Sequence, residues 1–144
     1  MAFQNPDREQ IKHLLQGSDT VAVVGLSDNP ERISYMVSEA MQKKGYTIIP
    51  VNPNADTILG QKSYAKLSDI PVPVDIVNVF RRSEHTPGVA EEAAAIGAKT
   101  LWLQLGISNE EAASIASAAG MNVIMDRCIK VEDSILLPEG KPKS

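Results

Sequence analysis

A chain of 144 residues, 43% apolar and 22% charged, fits one domain spanning residues 1–144 and is long enough to bury a core of its own. Its formal net charge of −4 argues against a general nucleic-acid binder and leaves room only for a local basic pocket. The longest apolar runs are strand-sized, too short to span a membrane, and the single cysteine, Cys128, excludes an internal disulfide and a cysteine-cluster metal site.

The first ten residues, MAFQNPDREQ, carry no basic stretch followed by an apolar one, so a cytoplasmic protein without a signal peptide is expected. Residues 7–16 read as a helix opened by Asn5-Pro6, striped by Ile11, Leu14 and Leu15, and ended by Gly17. Residues 20–24 form an apolar strand. A polar turn from Gly25 leads into a second helix. Its apolar stripe is Ile33, Met36, Val37, Ala40 and Met41, the i, i+3, i+4 spacing of a buried helical face. Lys43 and Lys44 suit the last turn, and Gly45 ends it. A second strand covers 47–51. Residues 60–64 offer a short third strand and 67–70 a helical turn, before a strand over 75–80.

The second half repeats the alternation. Thr86 caps a helix with Pro87 at its first position, and Gly97 closes it. A strand over 100–105 follows. Ser108 and Glu111 read as a capping box for a helix whose apolar face is Ala112, Ile115, Ala116 and Ala119, stopped by Gly120. The last strand covers 122–125 and a final helix 129–136. The tail, 138–144, is expected to be loose.

The strands are continuous apolar runs rather than alternating ones, which marks a parallel sheet covered on both faces. The expected fold is α/β, a doubly wound parallel sheet in three layers. Its strand order is 3-2-1-4-5-6 if residues 60–64 form a true third strand.

In such a sheet ligands bind beyond the carboxyl ends of the strands. That rule selects Gly25 to Arg32, Asn52 to Asn54, Phe80 to Ser83, Gln104 to Gly106, and Asp126 to Cys128. Gly25 allows close backbone approach, and Ser27 offers a hydroxyl. The helix N-terminus offers free amides, and Arg32 and Arg81 offer guanidinium forks. Together they suit a phosphate. A nicotinamide site is disfavoured. Positions 27 and 30 are Ser and Pro instead of glycine, and the second strand ends in Asn52-Pro53 with no acid for the ribose. Each residue also has a plain structural reading: Gly25 as a tight turn, Ser27 as a cap, Arg32, Arg81 and Arg82 as solvated charge, Asn52-Pro53 as turn chemistry, Trp102 as core. His13 and His85 stand apart from any carboxylate cluster, so neither a metal site nor a catalytic triad is expected.

Six segments carry a resemblance: VVGLSDNPERISYMV, GYTIIPVNPN, ILGQKSYAKLSDIP, VDIVNVFRRSE, AIGAKTLWLQLGI and AAGMNVIMDRCI, together covering roughly residues 17–132. They resemble the stand-alone CoA-binding protein family, which is similar to the CoA-binding domains of the succinyl-CoA synthetase α subunit and of ADP-forming acyl-CoA synthetases. The resemblance implies a Rossmann-like domain with its core at about 17–136, and coenzyme A as the ligand. By position it implies phosphate and nucleotide contacts at Gly25, Leu26, Ser27 and Arg32. Asn52 and Pro53 would lie along the adenosine, Phe80 and Arg81 would form a wall beside the nucleotide, and Gln104 and Gly106 would lie nearer the pantetheine arm.

The expected function is therefore binding of CoA or an acyl-CoA as a carrier, sensor or partner module. The synthetases' phosphohistidine and triphosphate machinery is not in this sequence, so no catalytic residue is assigned. The alternatives are a CoA-thiol redox enzyme using Cys128, whose neighbour Arg127 and following helix start favour a thiolate, and an NAD(P)-dependent oxidoreductase. A homodimer and an unidentified partner enzyme are both compatible with the sequence, which argues for neither.

Overall fold

A computed structural model describes residues 3–140. Its centre is a five-stranded parallel sheet of β1 (Thr20–Val24), β2 (Thr47–Val51), β5 (Ile76–Val79), β6 (Thr100–Leu103) and β7 (Asn122–Ile124), in the order β2-β1-β5-β6-β7. Successive side chains on a strand point to opposite faces. Ala22 and Val24 of β1 therefore enter one core cluster with Val77, Val79, Leu101, Leu103 and Val123. Val21 and Val23 enter the other with Ile76, Trp102 and Ile124. Both faces are apolar because both are covered. Helices α3 (Thr86–Ala95) and α4 (Glu110–Ala118) pack together on the first. Helices α1 (Arg8–Gln16), α2 (Ile33–Lys43) and α5 (Ile129–Leu136) cover the second. This is the three-layer, doubly wound architecture expected from the strand patterning.

The strand order departs from expectation at one edge. Residues 57–62 fold back on themselves as an antiparallel hairpin, β3 (Thr57–Ile58) and β4 (Gln61–Lys62). Its two turn residues, Leu59 at φ 54° and Gly60 at φ 74°, have the paired positive φ of a tight hairpin turn. The backbone spent on that hairpin cannot extend along β2. Among the described residues only Tyr64 bridges Val51, and no full third strand pairs with β2.

Three local expectations also change. α2 buries Ser34, Val37, Ser38 and Met41, while Ile33 and Met36 stand 67% and 48% exposed. The helix turns its small serines inward, where the Ser34 hydroxyl accepts the Ser27 amide at 3.0 Å. The cap of α4 is Asn109, whose side chain accepts from the Ala112 amide at 2.9 Å; the Ser108 amide instead donates to the Ser83 hydroxyl. Thr86 is already helical. A single 3-10 turn, Ser83–His85, precedes it, and its hydroxyl donates to the Ser83 carbonyl at 2.7 Å.

α1 starts at Arg8 and is capped by Asp7 rather than by Asn5-Pro6, with Asp7 and Gln10 forming a reciprocal capping box. α5 is anchored at its middle by buried Asp133, which accepts from the Tyr46 hydroxyl at 2.7 Å and lies 2.9 Å from Lys44 Nζ. Burial, then the Asp133 hydrogen bond, push the Tyr46 phenol above its usual pKa. Among the described residues no helix is long and apolar enough to cross a membrane. The expected loose tail reaches past residue 140, where 141–144 lie outside the described residues.

Candidate functional site

The turn after β1 is built by its own polar side chains. Val24 hands over to Gly25, which holds φ +86° and donates its amide to the Val51 carbonyl at 3.1 Å. The Ser27 hydroxyl accepts from the Asn29 amide, and the Asn29 side chain accepts from the Glu31 amide, each at 3.0 Å. Such short side-chain bonds set the loop before the helix starts. Arg32 is the N-cap of α2 but makes no side-chain hydrogen bond to the first-turn amides. The positive end of the α2 dipole is thus left without an acceptor of its own.

That end opens into a cavity of about 560 Å³ lined by Gly25, Ser27, Glu31, Arg32, Ser34 and Phe80. Phe80 closes one side because its amide donates to the Val24 carbonyl at 2.9 Å, holding the β5 end against the β1 end. Ile33 also lines the cavity. The arrangement offers amides, hydroxyls and a guanidinium to an anion, with apolar surface beside them.

A second, smaller cavity of about 120 Å³ lies past the end of β2. Val24, Val51, Pro53 and Leu67 give it apolar walls, and Lys66, Arg81 and Glu92 its charge. Arg81 also approaches the first loop, its Cδ 3.2 Å from where a side chain on Gly25 would begin. Its neighbour Arg82 points elsewhere, 84% exposed and 4.0 Å from Glu84.

The remaining candidates divide by role. Asn52 ties the first two loops together, its Nδ2 donating to the Leu26 carbonyl at 2.9 Å and its Oδ1 accepting from the Asn54 amide at 2.8 Å. The Leu26 side chain is fully buried. Gln104 is 4% exposed, and its Oε1 accepts from Asn78 Nδ2 and from the Ile129 amide, both at 3.3 Å. Gly106 donates its amide to the Asp126 carboxylate at 2.7 Å. Cys128 is half-buried against the core beneath α1, α2 and α5, and lines neither cavity. Three polar residues of these cavities, Ser34, Lys66 and Glu92, were not among the site candidates of the sequence. Ser34 sits next to the apolar stripe of α2 and carries no local signal of its own; only the fold brings its hydroxyl to the Ser27 amide. Lys66 and Glu92 are solvated charges until the fold sets them around Pro53.

A family profile described as a CoA binding domain matches residues 19–134. The chain belongs to this CoA-binding domain family. The protein YneT of Bacillus subtilis (strain 168) is 54% identical over 133 residues, 92% of this chain and 98% of that protein. Acetate–CoA ligase (ADP-forming) II of Archaeoglobus fulgidus is 35% identical over 94 residues, 63% of this chain but only 14% of the ligase. A small protein of Pyrococcus horikoshii OT3 of known structure is 33% identical, with a TM-score of 0.89 over 95% of this chain and 99% of that one. The relationship is thus to the CoA-binding domain of ADP-forming acetyl-CoA ligases, in a chain of the size of the small stand-alone members.

Proposed function

We propose that this chain binds coenzyme A or an acyl-CoA through its diphosphate and nucleotide, and serves acyl-CoA metabolism as a carrier, sensor or partner module. The observation that carries the reading is the uncapped N-terminus of α2 opening into the cavity of Gly25, Ser27, Arg32 and Ser34. A diphosphate supplies the charge that the helix end and Arg32 lack. The neighbouring apolar cavity, walled by Pro53 and Val51 beside Arg81, suits a nucleobase, because a guanidinium stacks well on a planar ring. Membership in the CoA-binding domain family supports the same ligand.

Synthetase chemistry is not part of the proposal, since the match to the ligase covers only 14% of that enzyme's length. The thiol-redox reading of Cys128 finds little support in its position, half-buried and outside both cavities. The NAD reading is weakened by Asn52, whose side chain is committed to Leu26 and Asn54 where an acid for the ribose would stand, and both NAD and NADP by Ser27 and Pro30 in place of the glycine fingerprint.

Native mass spectrometry of the purified protein, with and without reductant, tests the assignment. A bound mass equal to CoA that persists in reductant supports it. A mass released only by reductant would return Cys128 to the centre of the function. A protein that is empty and takes up no added CoA would overturn the reading.

A further inference from the structure

The end of β2 decides which ribose a site of this topology accepts. An acid there takes free ribose hydroxyls, whereas a nearby cation accommodates a phosphorylated ribose. Here β2 runs into Asn52-Pro53-Asn54, without an acid. The cavity beyond it sets Pro53 beside two cations, Lys66 and Arg81.

Lys66 reaches that position through the edge of the sheet. The Tyr64 amide donates to the Pro50 carbonyl at 3.0 Å, and the Asn52 amide donates to the Tyr64 carbonyl at 2.9 Å. The chain is therefore pinned to β2 two residues before Lys66. The 3-10 turn that follows, Leu67–Asp69, buries Leu67 to 1% exposure and fixes the other side. Among the described residues neither Lys66 nor Arg81 forms an ion pair. Two unneutralised cations thus face an acid-free strand end. The acid of the cavity is Glu92, contributed by α3, and it opposes an anion there.

We infer that Lys66, with Arg81 beside it, reads the 3′-phosphate on the ribose and so selects the 3′-phosphorylated nucleotide over its dephosphorylated counterpart. The inference rests on the coenzyme A reading above. A flexible ammonium suits a phosphate monoester as a point charge, while the Arg81 fork adds direction. Glu92 limits the preference by like-charge repulsion.

Titration calorimetry at about 0.15 M salt, where only short-range charge effects survive, tests it with CoA and dephospho-CoA. The wild type should prefer CoA by about tenfold or more, the scale of one charge-assisted hydrogen bond. Lys66→Met should erase most of that preference by weakening CoA far more than dephospho-CoA, with the melting temperature unchanged because Lys66 is exposed. Glu92→Gln should strengthen CoA selectively. Equal affinity of the wild type for both nucleotides overturns the inference and leaves the CoA reading intact, as does a Lys66→Met variant that weakens both alike. Failure of the wild type to bind either nucleotide overturns the parent reading, and this inference with it.

Discussion

The carbonyl oxygen of Phe80 stands 2.6 Å from the point where a side chain on Gly25 would begin. No Cβ can occupy that place, and the φ of +86° at Gly25 disfavours any L side chain besides. The close approach follows from the parallel pairing of β1 and β5, which runs Val24 alongside Val79 and brings the two strand ends together at the cavity. Gly25→Ala should therefore lose about 1–3 kcal/mol of stability, the cost of a strained backbone position. It should also lose CoA binding, because relief requires the Phe80 side of the cavity to move. Urea unfolding paired with calorimetry checks both. Wild-type stability in the variant would show that the strand ends are not so tightly set.

Arg32 and Arg82 make a controlled pair. Arg32 lines the α2 cavity, whereas Arg82 is 84% exposed beside Glu84. Arg32→Ala should weaken CoA binding by about 1–3 kcal/mol, as expected for a lost charged hydrogen bond. Arg82→Ala should change affinity by less than about 0.5 kcal/mol, as for a solvated ion pair. If the two variants bind CoA alike, Arg32 has no contact with the ligand.

Gln104 looks like a ligand residue from its position after β6 but is built into the core. Its Oε1 receives both Asn78 and the first amide of α5. Gln104→Ala leaves the buried Ile129 amide without an acceptor, at about 1–3 kcal/mol, while Asn78 Nδ2 keeps the Trp102 carbonyl at 3.3 Å. The expected signature is a lowered melting temperature with little change in CoA affinity measured well below it. Loss of affinity at unchanged stability would instead make Gln104 a direct contact.

Asp75 supplies a pH dependence. Burial alone would raise its pKa. The Asp19 and Thr20 amides, donating at 2.8 and 3.0 Å, together with Lys99 at 3.4 Å, outweigh burial and lower it. A carboxyl with a depressed folded pKa stabilises the fold fully above its unfolded value, near 4. That contribution is lost as pH falls through the lower folded value. Asp75→Asn should thus be destabilised at pH 7, and the gap from wild type should narrow below about pH 4. Denaturant unfolding at both pH values measures it. A gap that stays constant with pH would mean that the carboxylate charge contributes nothing.

Much of this architecture is legible in the chain because it is written locally. β1, β2 and α5 lie where apolar runs and helical spacing put them. Gly25, Ser27 and Arg32, picked out from the first loop, do line one cavity. Backbone propensity, turn chemistry and a helix start act over a few residues, so they can be read without knowing what lies across the sheet.

Tertiary structure decided the rest. It turned residues 57–62 into a hairpin and left Tyr64 alone on the β2 edge, because two positive-φ turn residues compete with an extended strand. It rotated α2 so that Ser34 faces the first loop and Ile33 faces solvent. It moved the α4 cap to Asn109, whose Nδ2 also donates to the Ser83 carbonyl 26 residues away. It engaged Gln104 inside the core and gathered Pro53, Lys66, Arg81 and Glu92 from separate segments around one cavity. The apolar pattern determined which segments become the five strands of the main sheet and the helices that cover it. Which side chains meet across those segments depends on parallel pairings between strands far apart in the chain, and no local spacing encodes them.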